Sequence, residues 1–269
     1  MKPPLFSPAS TFWRVNREVA VSLAGPRAVL MQIAHPLVAA GVAEHSKFRE
    51  HRLGRLFRTS MAAAAITFGS RDFALRAVRA INRRHESVNG VLRAQAGMFP
   101  AGTPYDANDP VLKLWVLSTI TDSTFRVYDL FVRPLSRSER ESYYRDSLIA
   151  AALFGIPEAI TPATYDAFER YMEAMLDGGA ITVSDDSRRI VDALFAPCPT
   201  GIALLAGSAI GIGLLPERLR REFGFRWTPR RERWLTRAAA LSRLARKAAP
   251  DVLCTHPAAT LAARLAPAQ

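Results

Sequence analysis

Strand-like alternation of apolar and polar residues runs nowhere in this chain for more than a few positions. Apolar residues instead recur at three- and four-residue intervals nearly throughout, which is the period of an amphipathic helix. The pattern predicts an all-α fold, a single multi-helix domain. Several helix starts are explicit. Asp109-Pro110 supplies an N-cap followed by proline at the first helical position, and Thr161-Pro162 and Thr228-Pro229 repeat that order. Ser136 to Glu139 fits a capping box, in which each side chain satisfies an orphan backbone amide. Gly155 and Gly224 read as helix C-caps.

These signals place helices at about 14–24, 27–43, 53–68, 71–96, 110–133, 137–154, 162–176, 187–195, 202–223 and 229–247, with a short one near the end. The longest clear loop is 97–108, rich in Gly, Pro and Asn. No internal repeat or linker is visible. The expected organisation is an N-terminal tail over 1–13, one helical domain over 14–248 and a C-terminal tail over 249–269, with both tails frayed. Of the 269 residues 49% are hydrophobic, which is ample for a sizeable core. Cys198 and Cys254 stand alone, so a disulfide scaffold and a cysteine-rich metal site are excluded. Residues 1–11 hold one Lys and three Pro without an apolar run, so no secretory leader is expected. The apolar stretch 201–215 is shorter than the ~20 residues of a spanning helix and carries four glycines. It reads as a buried helix or hairpin, with Gly207, Gly211 and Gly213 serving close packing. A soluble, cytoplasmic protein is expected.

Much catalytic chemistry is absent by spacing. His85-Glu86 lacks the second histidine of a zincin helix, and no histidine follows a Glu by three residues, as a carboxylate di-iron bundle requires. There is no Gly-x-Ser-x-Gly elbow, no phosphate loop and no dinucleotide fingerprint. Five histidines remain. His85 falls mid-helix in the expected pattern, on one face with Val78, Ile81, Val88 and Leu92. A histidine on such a stripe is either a satisfied core residue or, in an all-helical pocket, an axial ligand to heme iron. Arg55 and Thr59 are four apart and share a face that Ala63 and Ile66 carry inward. That arginine either lies solvated on the rim or holds a carboxylate through its fork. His35-Pro36 interrupts the apolar run 28–43, where proline removes a helix hydrogen bond and forces a kink. His35 there either caps a freed carbonyl or handles oxygen or substrate in a pocket. His45 and His51 lie in a polar stretch and are expected to be exposed, and His256 falls in the tail.

These residues assemble into a larger pattern. The run from Arg27 through His35-Pro36 and Gly41 to Glu44-His45-Ser46 resembles the signature of the MpaB/latex-clearing-protein family, whose members carry the rubber oxygenase catalytic domain. Further matching blocks follow in order. They are Arg55-Leu56 to Arg58-Thr59, Thr67-Phe68-Gly69, Asn82 to His85 with Val88 and Gly90, and Tyr105 to Asp109-Pro110. Leu114-Trp115-Val116, Thr119 to Asp122-Ser123, Tyr128, Phe131-Val132 and Pro134-Leu135-Ser136 complete the set, which spans 14–195. The resemblance implies an all-helical fold with a globin-like core and a b-type heme. It makes His85 the iron ligand, places Arg55 and Thr59 beside the heme, and implies dioxygen-dependent cleavage of isoprenoid carbon–carbon double bonds. Leu117 stands where many members have histidine. The rubber-cleaving members also use an acidic residue before the Arg/Thr pair, for which Glu44 is the nearest counterpart, although its spacing differs.

The leading expectation is therefore a heme b-dependent oxygenase. His85 ligates iron, and His35, Arg55 and Thr59 lie on the oxygen or substrate side of an apolar pocket. The alternative is a helical heme-binding sensor without turnover. The +12 net charge raises nucleic acid as a partner, but no helix-turn-helix or winged-helix pattern supports one. Residues 216–247 hold 11 basic and three acidic side chains. This basic segment after an apolar one reads either as a solvated helix face or as a surface that rests on an anionic membrane. The oligomeric state is left open.

Overall fold

The computed structural model describes residues 4–45, 52–195 and 202–265; the side chains of 52–57, 195, 202–206 and 265 fall outside the described set. In chain order the elements are α1 (Thr11–Asn16), a 3₁₀ turn (Val19–Leu23), α2 (Ala24–Ile33), α3 (Pro36–His45), α4 (Arg52–Phe68) and α5 (Arg71–His85). A short ribbon follows, β1 (Asn89–Val91) paired antiparallel with β2 (Pro104–Asp106). Then come α6 (Pro110–Phe131), α7 (Arg137–Leu153), α8 (Tyr165–Asp177), α9 (Asp185–Phe195), α10 (Ile202–Gly213), α11 (Glu217–Glu222), α12 (Pro229–Ala248), α13 (Asp251–Cys254) and α14 (Pro257–Leu265). The fold is all-α, with that ribbon as its sole sheet among the described residues.

The caps read from sequence are present at three starts. Asp109 accepts from Val111 N at 2.8 Å, Thr228 from Arg231 N at 3.3 Å, and Ser136 and Glu139 form the reciprocal box ahead of α7. Gly155 and Gly224 both take φ of 76°, the left-handed conformation that ends a helix. The kink falls at His35-Pro36: α2 stops at Ile33, His35 N turns to Gln32 O, and α3 restarts with Ala39 N bonded to His35 O. Thr161 N-caps no helix. The α8 cap is Thr164, three residues later, because Pro162 is drawn into a contact in which its carbonyl accepts from Tyr144 Oη at 2.6 Å.

α6 is the central strut. Trp115, Thr119, Ser123 and Val127 are fully buried along it, and it packs against α2, α7 and α12. A buried arginine joins this strut to its neighbours. Arg27 of α2 is 2% exposed; it pairs with Asp122 of α6 at 2.6 Å and donates to Ser123 Oγ and to Leu214 O just past α10, each at 2.8 Å. Gly211 permits that approach, since a Cβ there would stand 2.8 Å from Arg27 N. Gly211 and Gly213 of α10 thus serve close packing, whereas a Cβ on Gly207 would meet Pro26 at an ordinary 3.7 Å. The expected helix 202–223 is divided in two at Pro216, which caps α11.

The tails differ from expectation. Phe6, Phe12 and Trp13 are buried in the main core, and Pro4 bridges to Ser70, so the N-terminal segment is packed from residue 4 onward. Cys254 and Ala259 are buried as well, and His256 N donates to Arg17 O. Phe6, Phe12 and Trp13 bury the apolar area that holds the N-terminal segment, at about 25 cal/mol per Å².

Candidate functional site

The largest correction lies beside the predicted metal ligand. The helix expected over 71–96 ends at His85, and the chain turns into β1 at Asn89. Asn89 Nδ2 closes on Glu86 O at 3.1 Å and Val88 N on His85 O at 2.9 Å, so local side-chain bonding outcompetes another helical turn. Gly90 then lets the ribbon close: a Cβ there would lie 2.6 Å from Tyr105 Oη. His85 is therefore a helix-terminal residue. Val78 remains beneath it on α5, while Val88 and Leu92 flank the first ribbon strand, Val88 against Gly41 and Leu92 in an apolar cluster with Leu37, Ala40, Tyr105 and Leu112.

α4 and α5 form a hairpin that closes at Gly69-Ser70, with Ser70 capping α5. Residues equidistant from such a turn stand at equal height. Arg55 and His85 are nearly equidistant, so their backbones differ in height by about one residue rise, ~1.5 Å. Thr59 is one turn nearer the bend. The Arg55 side chain lies outside the described set. Thr59 and Ala63 are exposed, and only Ile66 of that face is buried. The expected inward face of α4 is thus turned to solvent along Thr59 and Ala63, because α4 buries the side that meets α5, α1 and α14.

The His85 ring is half-buried, and its buried Nδ1 has no hydrogen-bond partner among the described residues. Asn82 Oδ1, one turn earlier, is also buried and unpaired. Burial lowers the His85 pKa, the Lys113 ammonium lowers it further, and Asp106 opposes both. Burial thus favours the neutral imidazole, which with its unpaired nitrogen is the form a metal takes.

His35 is 3% exposed. Its Nδ1 accepts from Leu37 N at 3.3 Å, which places the ring proton on Nε2, and the ring lies 5.2 Å from that of Phe99. Burial pushes its pKa down to about 4, with Asp109 opposing. Thus His35 feels Asp109, and His85 feels Asp106 and Lys113. Both imidazoles border the segment that leads into α6.

A polar network beside them was only partly legible. Tyr105 Oη donates a short bond to Glu44 Oε2, Arg93 Nε meets Glu44 Oε1 at 2.6 Å, and His45 Nε2 lies 3.1 Å from Asn89 O and 3.4 Å from Tyr105 Oη. The Tyr105 bond holds the Glu44 pKa down, while burial and then Glu44 raise that of Tyr105. Glu44 is thereby fixed as an ion-paired carboxylate at the end of α3. The signal for this network was Gly90 opposite Tyr105, a pair that becomes meaningful only once the ribbon register is known. Arg93 carried no signal. His45 is exposed as expected, and His51 lies outside the described residues. His256 is half-buried and stacked on Phe68 at 5.6 Å. Leu117 packs among Leu114, Ala151, Ile156 and Tyr171, an apolar setting. Cys254 is buried and free, and Cys198 lies outside the described residues.

An all-helical chain whose kinked His-Pro segment and helix-terminal histidine flank one ribbon defines the class to compare. Residues 13–244 match the family model described as the ER-bound oxygenase mpaB/B'/rubber oxygenase catalytic domain, and the chain belongs to that family. It is thereby placed among oxygenases, a class of oxidoreductases. Two relatives, Mb2261 of Mycobacterium bovis and Rv2237 of Mycobacterium tuberculosis, are each 24% identical over 231 residues, covering 82% of this chain and 87% of theirs. Both are described as uncharacterized. No solved structure matches the chain. Among the described residues no helix is long and apolar enough to cross a membrane.

Proposed function

We propose that this chain is a heme b-dependent oxygenase that uses dioxygen on an apolar, isoprenoid-like substrate. The observation that carries the reading is the buried, unpartnered Nδ1 of a neutral His85, at the end of the hairpin that also bears Arg55 and Thr59. An unpaired buried nitrogen costs about 1–3 kcal/mol unless something satisfies it. Among the described residues no three His, Cys, Asp or Glu converge on a metal ion. A porphyrin supplies four nitrogens of its own and needs one imidazole from the protein, so these residues fit that group. When bound, heme would supply the activation of dioxygen.

In this reading His85 would hold the iron, and Arg55 and Thr59 would hold the carboxylates of the heme from the solvent-turned face of α4. His35 keeps its proton on Nε2 and offers it as a donor in an otherwise apolar setting formed by Leu37 and Phe99. The apolar cluster of Leu37, Ala40, Leu92 and Leu112 would orient substrate and exclude water. Dioxygen uptake with a polyunsaturated isoprenoid tests the reading. The heme-loaded chain should consume dioxygen, and His85→Ala should not. Heme binding without uptake would favour the alternative, a sensor without turnover.

The basic helix α12 supports an accompanying proposal, docking on an anionic membrane where apolar substrates dissolve. Leu235 and Ala239 face the core from α12, whereas Trp234, Leu241 and Leu244 are exposed on it, beside Arg230, Arg233 and Arg237. Apolar side chains rimmed by arginine suit an interface of acyl chain and anionic headgroup. The chain should bind phosphatidylserine vesicles at low salt, and Leu241→Ser with Leu244→Ser should weaken that binding. Binding that survives high salt, or that the double variant leaves unchanged, would contradict it.

A further inference from the structure

A cavity of about 200 Å³ opens at the other end of α6 from the histidines, where α1, α7 and α12 meet it. Lys113, the charge His85 feels, stands at the start of α6, and Tyr128 of the cavity wall lies fifteen residues later, roughly 22 Å along the helix. Four arginines face this cavity, Arg14, Arg17, Arg133 and Arg246, against two carboxylates, Glu18 and Glu139.

Both carboxylates are already committed. Arg133 makes two parallel bonds to Glu139 at 2.9 and 2.6 Å, and Arg246 makes two to Glu18 at 2.8 and 3.1 Å. The wall is therefore left with the charges of Arg14 and Arg17. The Arg14 fork donates to a neutral group, Thr11 Oγ1, at 3.1 Å. Arg17 stands 3.8 Å from Asp251, an exposed carboxylate outside the wall that Arg246 holds more closely at 2.9 Å. Arg17 Nε is buried with no acceptor among the described residues. A buried cationic donor without an acceptor is costly, and a group that accepts from it binds with that cost relieved. Burial also raises the Tyr128 pKa, so its hydroxyl stays protonated in the same wall.

We infer that this cavity binds a phosphate group. A phosphate group can pair with Arg14 and Arg17, the two forks that no carboxylate of the wall holds, and its oxygens accept from more than one guanidinium at once. A soluble phosphate ester and a lipid headgroup present the same group. The inference does not depend on heme or on oxygenase activity.

Isothermal titration of the full chain with inorganic phosphate, at constant ionic strength in chloride, tests it. Saturable one-to-one binding is expected. Arg14→Gln and Arg17→Gln should each weaken it about tenfold or more, the loss expected of one charged hydrogen-bonding group. Arg170→Gln, on exposed α8 surface outside the cavity, should bind as the wild type does. Circular dichroism checks that each variant is folded, and the exposed Arg14 is the safer of the two sites. Competition by glycerol 3-phosphate or by phosphatidate vesicles then identifies the source of the group. Heats equal to a chloride titration, or Arg14→Gln and Arg17→Gln both binding like the wild type, would overturn the inference.

Discussion

Replacing His35 with asparagine should change how the stability of the chain depends on pH. In an unfolded chain this imidazole titrates near 6.5; in the fold, burial pushes it down to about 4. Between these values the unfolded chain binds a proton that the folded chain refuses. Stability from this group is therefore fully present above pH 6.5 and lost as pH falls through 4. One unit is worth 1.36 kcal/mol, so the whole window amounts to about 3 kcal/mol, and about 2 kcal/mol of it is gone by pH 5. Asparagine can accept from Leu37 N through its carbonyl, as Nδ1 does, yet carries no proton equilibrium. Urea unfolding of both proteins at pH 7.5 and pH 5 isolates the effect, because other titrating groups are common to the two. The wild type should lose about 2 kcal/mol more than His35→Asn over that interval. Equal losses would show that the ring is not held neutral by burial.

Two further substitutions probe the buried ion pair and the ribbon contact. Asp122→Asn leaves Arg27 buried without its counter-charge and should lower unfolding stability by about 3–5 kcal/mol, read from the urea midpoint; a loss below about 1 kcal/mol would mean solvent reaches the pair. Gly90→Ala pushes a methyl group into the Tyr105 hydroxyl and should cost about 1–3 kcal/mol by thermal melting. The same change should cost less in a Tyr105→Phe background, and full additivity would contradict the contact.

Local grammar made much of the fold legible. The caps at Asp109, Ser136 and Thr228 and the break at His35-Pro36 act within one helical turn, so a single sequence displays both partners. Thr161-Pro162 has the same local form and failed, because a tertiary bond from Tyr144 fixes that proline instead. The end of α5 was missed for a related reason. Val88 and Leu92 keep helical spacing from His85, but Gly90 and Tyr105 close a ribbon that no local window reveals. The tails were misjudged because composition registers proline and alanine and does not register that Phe6 and Ala259 find a core. At the site, His35 and His85 were identifiable as histidines among apolar residues. The anchoring of Glu44 by Tyr105 and Arg93 depends on three separate elements.

The proposed heme enzyme depends on the His85 imidazole as the ligand to iron. A visible absorption spectrum of the purified chain, with heme added under reducing conditions where none is bound, tests it most directly. A Soret band from the wild type that is lost in His85→Ala, with the variant still folded by circular dichroism, is the predicted result. A wild-type spectrum unchanged by heme, or an equal Soret band in His85→Ala, would contradict it.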